Sequence, residues 1–210
     1  MTFSVLFLCT GNVCRSPMAE LLARRALGAA LGPEAGRFVV SSAGTWGHDG
    51  SPMEAEAVQV LDGLGIDGRS FRARELTTAM LVGADLVLGV AREHSLAAAS
   101  LEPSAGRRVF ALSEFARIVT RLPPVDLASA DPADRARGLV GAAAAAREAR
   151  PLSAPVDGDV ADPYGAPVHV FAQSAQRIQD LLEPLVGRLT GAAQPAPTRS
   201  PSAGVGMAPP

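Results

Sequence analysis

The sequence predicts an α/β fold, a three-layer sandwich built on a parallel sheet of about four strands, and two observations predict it. Short apolar, partly β-branched runs at 3–8, 37–42, 85–90 and 107–112 alternate with stretches of helical periodicity. The first of them, FSVLFL, is apolar almost without a break, as a strand covered on both faces of a parallel sheet has to be. The chain of 210 residues is 48% hydrophobic, enough for one good core and too little for two large domains.

In chain order, the strand at 3–8 gives way to a helix in whose first turn Pro17 is tolerated, and Met18, Leu21, Leu22 and Ala26 carry that helix on. RFVVSS at 37–42 is the second strand. A helix over 53–64 turns Ala57, Val58, Val60, Leu61 and Leu64 inward and stops at Gly65. DLVLGV at 85–90 and RRVFAL at 107–112 are the third and fourth strands, and Ser113 is placed to cap a helix over 114–121. From 122 to 159 the composition turns to Pro, Ala, Asp and Arg. The run GAAAAAREAR there reads as a solvated helix formed by propensity alone. Residues 168–189 form a last amphipathic helix with Phe171, Ile178, Leu181, Leu182 and Leu185 on its apolar stripe, and Pro184 is expected to kink it. The Pro/Ala/Gly/Ser-rich end reads as disordered. One domain over 1–189, with an insertion at 122–159, and a tail at 190–210 is the resulting organisation.

A net charge of −2 and a pI of 5.9 give no overall positive field to draw the chain to nucleic acid or an anionic membrane. All 19 basic residues are arginine, which rules out a lysine Schiff base and a P-loop lysine. The two cysteines, Cys9 and Cys14, share one short loop and make no disulfide framework, so a reducing cytoplasm is the expected setting. The apolar run at the N-terminus is too short for a secretion signal, and no stretch reaches the roughly 18 apolar residues of a membrane span.

CTGNVCRSP joins the first strand to the first helix, at the carboxyl edge of the predicted sheet, where α/β folds bind ligands. A loop running through Thr10, Gly11, Asn12, Val13 and Cys14 can turn its backbone N–H groups inward, and the helix N-terminus adds partial positive charge. The product is a cradle of phosphate size. Its field favours the ionised, nucleophilic form of Cys9, and Arg15 can offer a planar fork to two phosphoryl oxygens. Expelling an alkoxide or phenolate from a phosphoester also demands a proton, so such a site needs an acid.

FLCTGNVCRSPMAE resembles the phosphate-binding signature of the low-molecular-weight protein tyrosine phosphatase family, matching it in Cys9, Gly11, Asn12, Cys14, Arg15, Ser16, Pro17, Met18, Ala19 and Glu20. SSAGT at 41–45 with GSP at 50–52 is similar to the family's second-strand segment, and DPYG at 162–165 resembles the loop that carries its general acid. The resemblance implies Asp162 as that acid and Tyr164 as the wall against which a substrate ring lies. It implies Asn12 and Ser16 as supports, the first holding a strained backbone conformation and the second donating to the Cys9 sulfur. Cys14 is read either as a small buried hydrophobe or as a reversible disulfide partner of Cys9. Trp46 either lines the way into the site or packs on the core edge, and His48, His94 and His169 are read as surface or loop residues. Asp157 and Asp159 stand in the same loop as alternative acids.

No metal and no cofactor are expected: Cys-x4-Cys with three scattered histidines is poor zinc spacing, and the loop itself supplies the charge stabilisation. The chain departs from the family pattern in the 122–159 insertion, in GVAREH where an apolar-Met-Asp stretch is common, and in Gly165 where some members keep a second aromatic. The reading is a phosphotyrosine phosphatase working through a cysteinyl-phosphate, its partner a phosphotyrosine protein or small aryl phosphate, with neither nucleic acid nor membrane involved. The alternatives are arsenate reduction with an external thiol and a non-catalytic phosphoprotein-binding module.

Overall fold

Four strands, Phe3–Cys9 (β1), Phe38–Gly44 (β2), Leu86–Gly89 (β3) and Val109–Ala111 (β4), form one parallel sheet in the order β2-β1-β3-β4. They come from a computed structural model that describes residues 1–123, 131–149 and 158–190. The helices are Arg15–Leu31 (α1), Ala55–Gly63 (α2), Thr78–Gly83 (α3), Arg92–Leu101 (α4), Leu112–Arg121 (α5), Pro132–Ala149 (α6) and Val168–Thr190 (α7). The expected three-layer α/β sandwich is the observed one.

Alternation along β1 sorts its side chains into two cores. Phe3, Val5 and Phe7 face a large cluster with α1, α5, α6 and α7, whereas Leu6 and Leu8 face a smaller one with Leu81 of α3 and Ala98 of α4. That is why the first strand has no polar face to show. β1 pairs with β2 on one side and with β3 on the other, so the chain leaves in opposite directions from its carboxyl end and opens a crevice there. The loop 9–15 occupies that crevice. Two glycines keep it tight: a Cβ at Gly44 would stand 2.6 Å from the Thr10 carbonyl oxygen, and one at Gly89 would stand 2.6 Å from the Ser95 nitrogen.

Two local expectations are corrected. The alanine-rich helix α6 is not solvated: Ala133, Ala136, Leu139, Val140, Ala143 and Ala144 are buried in the main core. Small side chains let it approach closely, and Arg147 fastens it by stacking 4.1 Å over the Phe110 ring while donating to the Val109 and Gly106 carbonyls. Ser113 does not cap α5. That helix begins two residues earlier than expected, at Leu112, and Glu114 reaches back to accept from the Ala111 N–H, leaving Ser113 buried in the first turn. The last helix carries Pro184 inside a single continuous element. Helices α3 and α4 were not singled out from the sequence, α3 because it is short and held by its Thr77 cap, α4 because apolar and polar residues alternate irregularly along it. Among the described residues no helix is long and apolar enough to cross a membrane. The tail beyond 190 and Asp157 lie outside the described residues.

Candidate active site

The loop between β1 and α1 is turned inside out by its hydrogen bonds. The carbonyls of Cys9, Thr10, Gly11 and Val13 accept from the backbone N–H groups of Thr45, Trp46, His48 and Glu54. With the carbonyls tied outward to the β2–α2 segment, the loop's own amides are left to face inward over Cys9, which is what an anion nest requires. The Asn12 amide donates to the Cys9 sulfur at 3.3 Å.

Asn12 fixes the turn. It has φ +57, the left-handed region, which among non-glycine residues Asn tolerates best, and no other described non-glycine residue has positive φ. Its side chain is fully used: Nδ2 donates to Ser16 Oγ at 2.8 Å and to Ser42 Oγ at 2.9 Å, and Oδ1 accepts from the Arg74 N–H at 2.8 Å. Each serine, having accepted from Asn12, is free to donate onward. Ser42 donates to Glu20 Oε2 at 2.6 Å, and Ser16 Oγ lies 2.9 Å from the Cys9 sulfur and 3.5 Å from the Ala43 carbonyl, so its proton can serve either. Glu20 is buried, and Arg24 and Arg74 neutralise it. The polar web beneath Cys9 is thus satisfied throughout.

Arg15 closes the loop from a buried position at the start of α1. Its Nη2 donates to Asp162 Oδ2 at 2.6 Å and its Nη1 to the Val160 carbonyl at 3.4 Å, while Nε has no hydrogen-bond partner. An unpartnered buried guanidinium N–H beside a cysteine is a donor awaiting an acceptor. The segment bearing Asp162 is held in place by Val160 N–H donating to the Val90 carbonyl, Ser174 to the Ala161 carbonyl and Arg177 to the Gly158 carbonyl. Asp159 accepts from the Arg92 N–H at the start of α4 and is not among the residues that line the pocket. The GVAREH departure thereby has a counterpart in the facing loop.

Cys9, Thr10, Gly11, Val13, Cys14, Arg15, Asp162 and Tyr164 line one pocket of about 130 Å³, with His48 at its edge. Asn12 and Ser16 lie under it. Trp46 is 79% exposed, so it does not pack on the core edge; it is not among the residues that line the pocket, and its backbone N–H serves the loop. Both cysteines are free, buried thiols, and burial, with Cys9, Glu54 and Asp162 adding to it, pushes the Cys14 thiol far up. Cys14 therefore stays protonated. No group of three or more His, Cys, Asp or Glu side chains that could hold a metal ion occurs among the described residues.

Two histidines read as peripheral belong to the site. His48 lines it, and His94 is buried beneath Thr10, with Nε2 3.1 Å from Thr10 Oγ1 and Nδ1 accepting from the Ala91 N–H. Burial first, then the charge of Arg15, pushes His94 down to about 4. The available signal was its place three residues after Ala91, the residue just before α4, where a side chain can reach back to the helix start.

Comparison with known proteins places these features in one family. Residues 4–136 match the model of the low molecular weight phosphotyrosine protein phosphatase family. The chain is 36% identical over 115 residues to a probable low molecular weight protein-tyrosine-phosphatase, EpsP, of Ralstonia solanacearum, covering 55% of this chain and 74% of that one. It is 27% identical over 189 residues to a protein-arginine-phosphatase of Geobacillus stearothermophilus, covering 90% of this chain and 97% of that one. The crystal structure of a low molecular weight protein tyrosine phosphatase from T. tengcongensis superposes with a TM-score of 0.65 at 32% identity, over 89% of this chain and 99% of that one. The matched span contains the whole strand-to-helix loop with Cys9 at its floor, and the chain belongs to the low molecular weight phosphotyrosine protein phosphatase family.

Proposed function

We propose that the chain hydrolyses phosphotyrosine in proteins, with Cys9 as nucleophile, Arg15 and the loop amides as the phosphoryl clamp, and Asp162 as the acid. One observation carries this reading: the Cys9 sulfur, which accepts from the Asn12 N–H, lines one pocket with Arg15 and Asp162, and those two are joined to each other. The Cys9 thiolate attacks phosphorus, the bond to the aryl oxygen breaks, and the proton of Asp162 passes to the departing phenolate. A water then attacks phosphorus, the P–S bond breaks, Asp162 takes the water proton, and phosphate leaves. The three equatorial oxygens are held throughout by Arg15 and the amides, so positioning and charge stabilisation supply most of the rate.

Two features support an aryl leaving group. Val13 gives the pocket an apolar wall, and Tyr164, 63% exposed, offers a ring at its rim. Beyond Cys9 and Cys14 the chain has no cysteine through which to relay electrons, which disfavours arsenate reduction. Release of phosphate from peptides carrying phosphotyrosine, phosphoserine or phosphoarginine, run beside arsenate with several thiols, tests the assignment. Fastest turnover of phosphotyrosine supports it; preference for phosphoarginine, or turnover of none, contradicts it.

A further inference from the structure

His94 is a buried polar residue that the hydrolytic scheme leaves without a task. Its side chain is 1% exposed, yet both ring nitrogens have partners, and their roles can be worked out from the bonds alone. The Ala91 N–H can only donate, so the Nδ1 it meets at 3.1 Å carries no proton. A neutral ring then holds its proton on Nε2, where Thr10 Oγ1 at 3.1 Å is a nearer acceptor than the exposed Glu93 carboxylate at 3.5 Å. Arg15 Nη2 also donates to that oxygen, at 3.4 Å. The threonine hydroxyl thus accepts twice, from His94 and from Arg15, and both of its lone pairs are taken. Its own proton has to be given elsewhere, and Thr10 lines the pocket.

We propose that His94 is a positioning residue of the phosphoryl site: through Nε2–H it fixes the Thr10 hydroxyl as an acceptor for Arg15 and turns its O–H toward a bound phosphoryl oxygen. Thr10 then contributes a side-chain donor to the clamp in addition to its place in the backbone nest. The arrangement also constrains the guanidinium. Arg15 is held by Asp162 from the acid loop, by the Val160 carbonyl and by Thr10 from below. The Thr10 contact remains available when an anion competes with Asp162 for the fork. The inference rests on the pocket being the phosphate site.

Because the ring has two arms, two amide substitutions separate them. In His94→Asn the short amide overlays Nδ1 and still accepts from the Ala91 N–H, but cannot reach Thr10. In His94→Gln the longer amide reaches the place of Nε2 and donates to Thr10. Thr10→Val is nearly isosteric and removes the hydroxyl, and Thr10→Ser keeps it. The measurements are calorimetric binding of inorganic phosphate and kcat/KM for an aryl phosphate, with thermal unfolding to check that each variant is folded.

Loss of one hydrogen bond to a charged group corresponds to about 10- to 100-fold. His94→Asn and Thr10→Val are each expected to weaken phosphate binding and lower kcat/KM by that amount, and the double variant to be no worse than either alone. His94→Gln and Thr10→Ser are expected to stay within about threefold of the parent, well inside a single hydrogen bond's worth. Gln losing as much as Asn would reduce His94 to a packing role and overturn the proposal, as would additive losses in the double variant or a Thr10→Val protein that binds phosphate like the parent. A parent chain that binds no phosphate would instead overturn the reading of the pocket on which the proposal rests.

Discussion

Arg15 Nη2 donates to Asp162 Oδ2 at 2.6 Å, so the base of the clamp and the side chain assigned as acid are partners across the pocket. A phosphoryl group entering the site competes with Asp162 for the same fork, and the carboxyl is then released toward the leaving oxygen. Asp162→Asn keeps the shape, weakens the pairing and removes the proton. It is expected to slow an aryl phosphate with a poor leaving group by about 10²–10⁴-fold and to affect a good leaving group far less. Rates measured across a series of substituted phenyl phosphates check this; a loss independent of leaving group would remove Asp162 from the acid role.

Asn12 is the residue on which the loop's shape depends. Asn12→Ala strands Ser16, Ser42 and the Arg74 N–H and leaves a Cβ in the left-handed region, so a loss of about 2–4 kcal/mol is expected. Asn12→Gly removes the same bonds without the backbone penalty and should lose about 1 kcal/mol less. Urea unfolding of the two variants beside the parent measures the difference.

The buried histidine makes stability pH-dependent in a definite direction. His94 is held at about 4 in the folded chain against an ordinary 6.5, so between those values the unfolded chain binds the proton and the folded one does not. Stability from this group is complete above about 6.5, falls as the pH drops, and by about pH 4 has declined by roughly 3 kcal/mol. The charged groups that bear on the ring are Arg15, which disfavours its charging, Asp162 and Asp159, which favour it, and the exposed Glu93, whose carboxylate lies 3.5 Å from Nε2. His94→Asn should flatten the acid limb of a plot of unfolding free energy against pH between 6.5 and 4. An unchanged slope would place the titration elsewhere.

Helix α6 carries core weight despite its composition. Leu139 is 2% exposed in the main cluster, and Leu139→Ala is expected to cost about 2–5 kcal/mol. A loss of unfolding free energy of under about 0.5 kcal/mol by urea denaturation, the range of surface substitutions, would return α6 to the surface.

How much of this was legible in the sequence follows the range of the interactions. The strands, α1 and the loop 9–15 were readable because their signals are local: an unbroken apolar run, small residues at a joint, a proline in a first turn. Cys9, Arg15 and Asp162 were nominated from the motif, and they meet in one pocket. The buried α6 was misread because alanine packs by smallness and leaves no apolar stripe to see. His94 was passed over because its importance comes from Thr10, 84 residues away in sequence, and Asn12's third bond comes from a backbone N–H at Arg74 that has no side-chain signature at all. The exposure of Trp46 was not readable from its type, because a tryptophan serves a core edge as readily as a rim, and its backbone bond to Thr10 has no side-chain signature.

The central claim is that phosphate passes through the sulfur of Cys9, and one measurement meets it directly. The chain is mixed with an aryl phosphate, quenched in acid within a turnover, digested and weighed by mass spectrometry, with Cys9→Ser run alongside. The account predicts a phosphoryl group on the peptide containing Cys9, absent from the unmixed protein, and a serine variant that still binds phosphate but turns over essentially nothing, because a hydroxyl is not ionised in the nest. Steady turnover with no such adduct, or a tenth or more of the parent rate in Cys9→Ser, would contradict it.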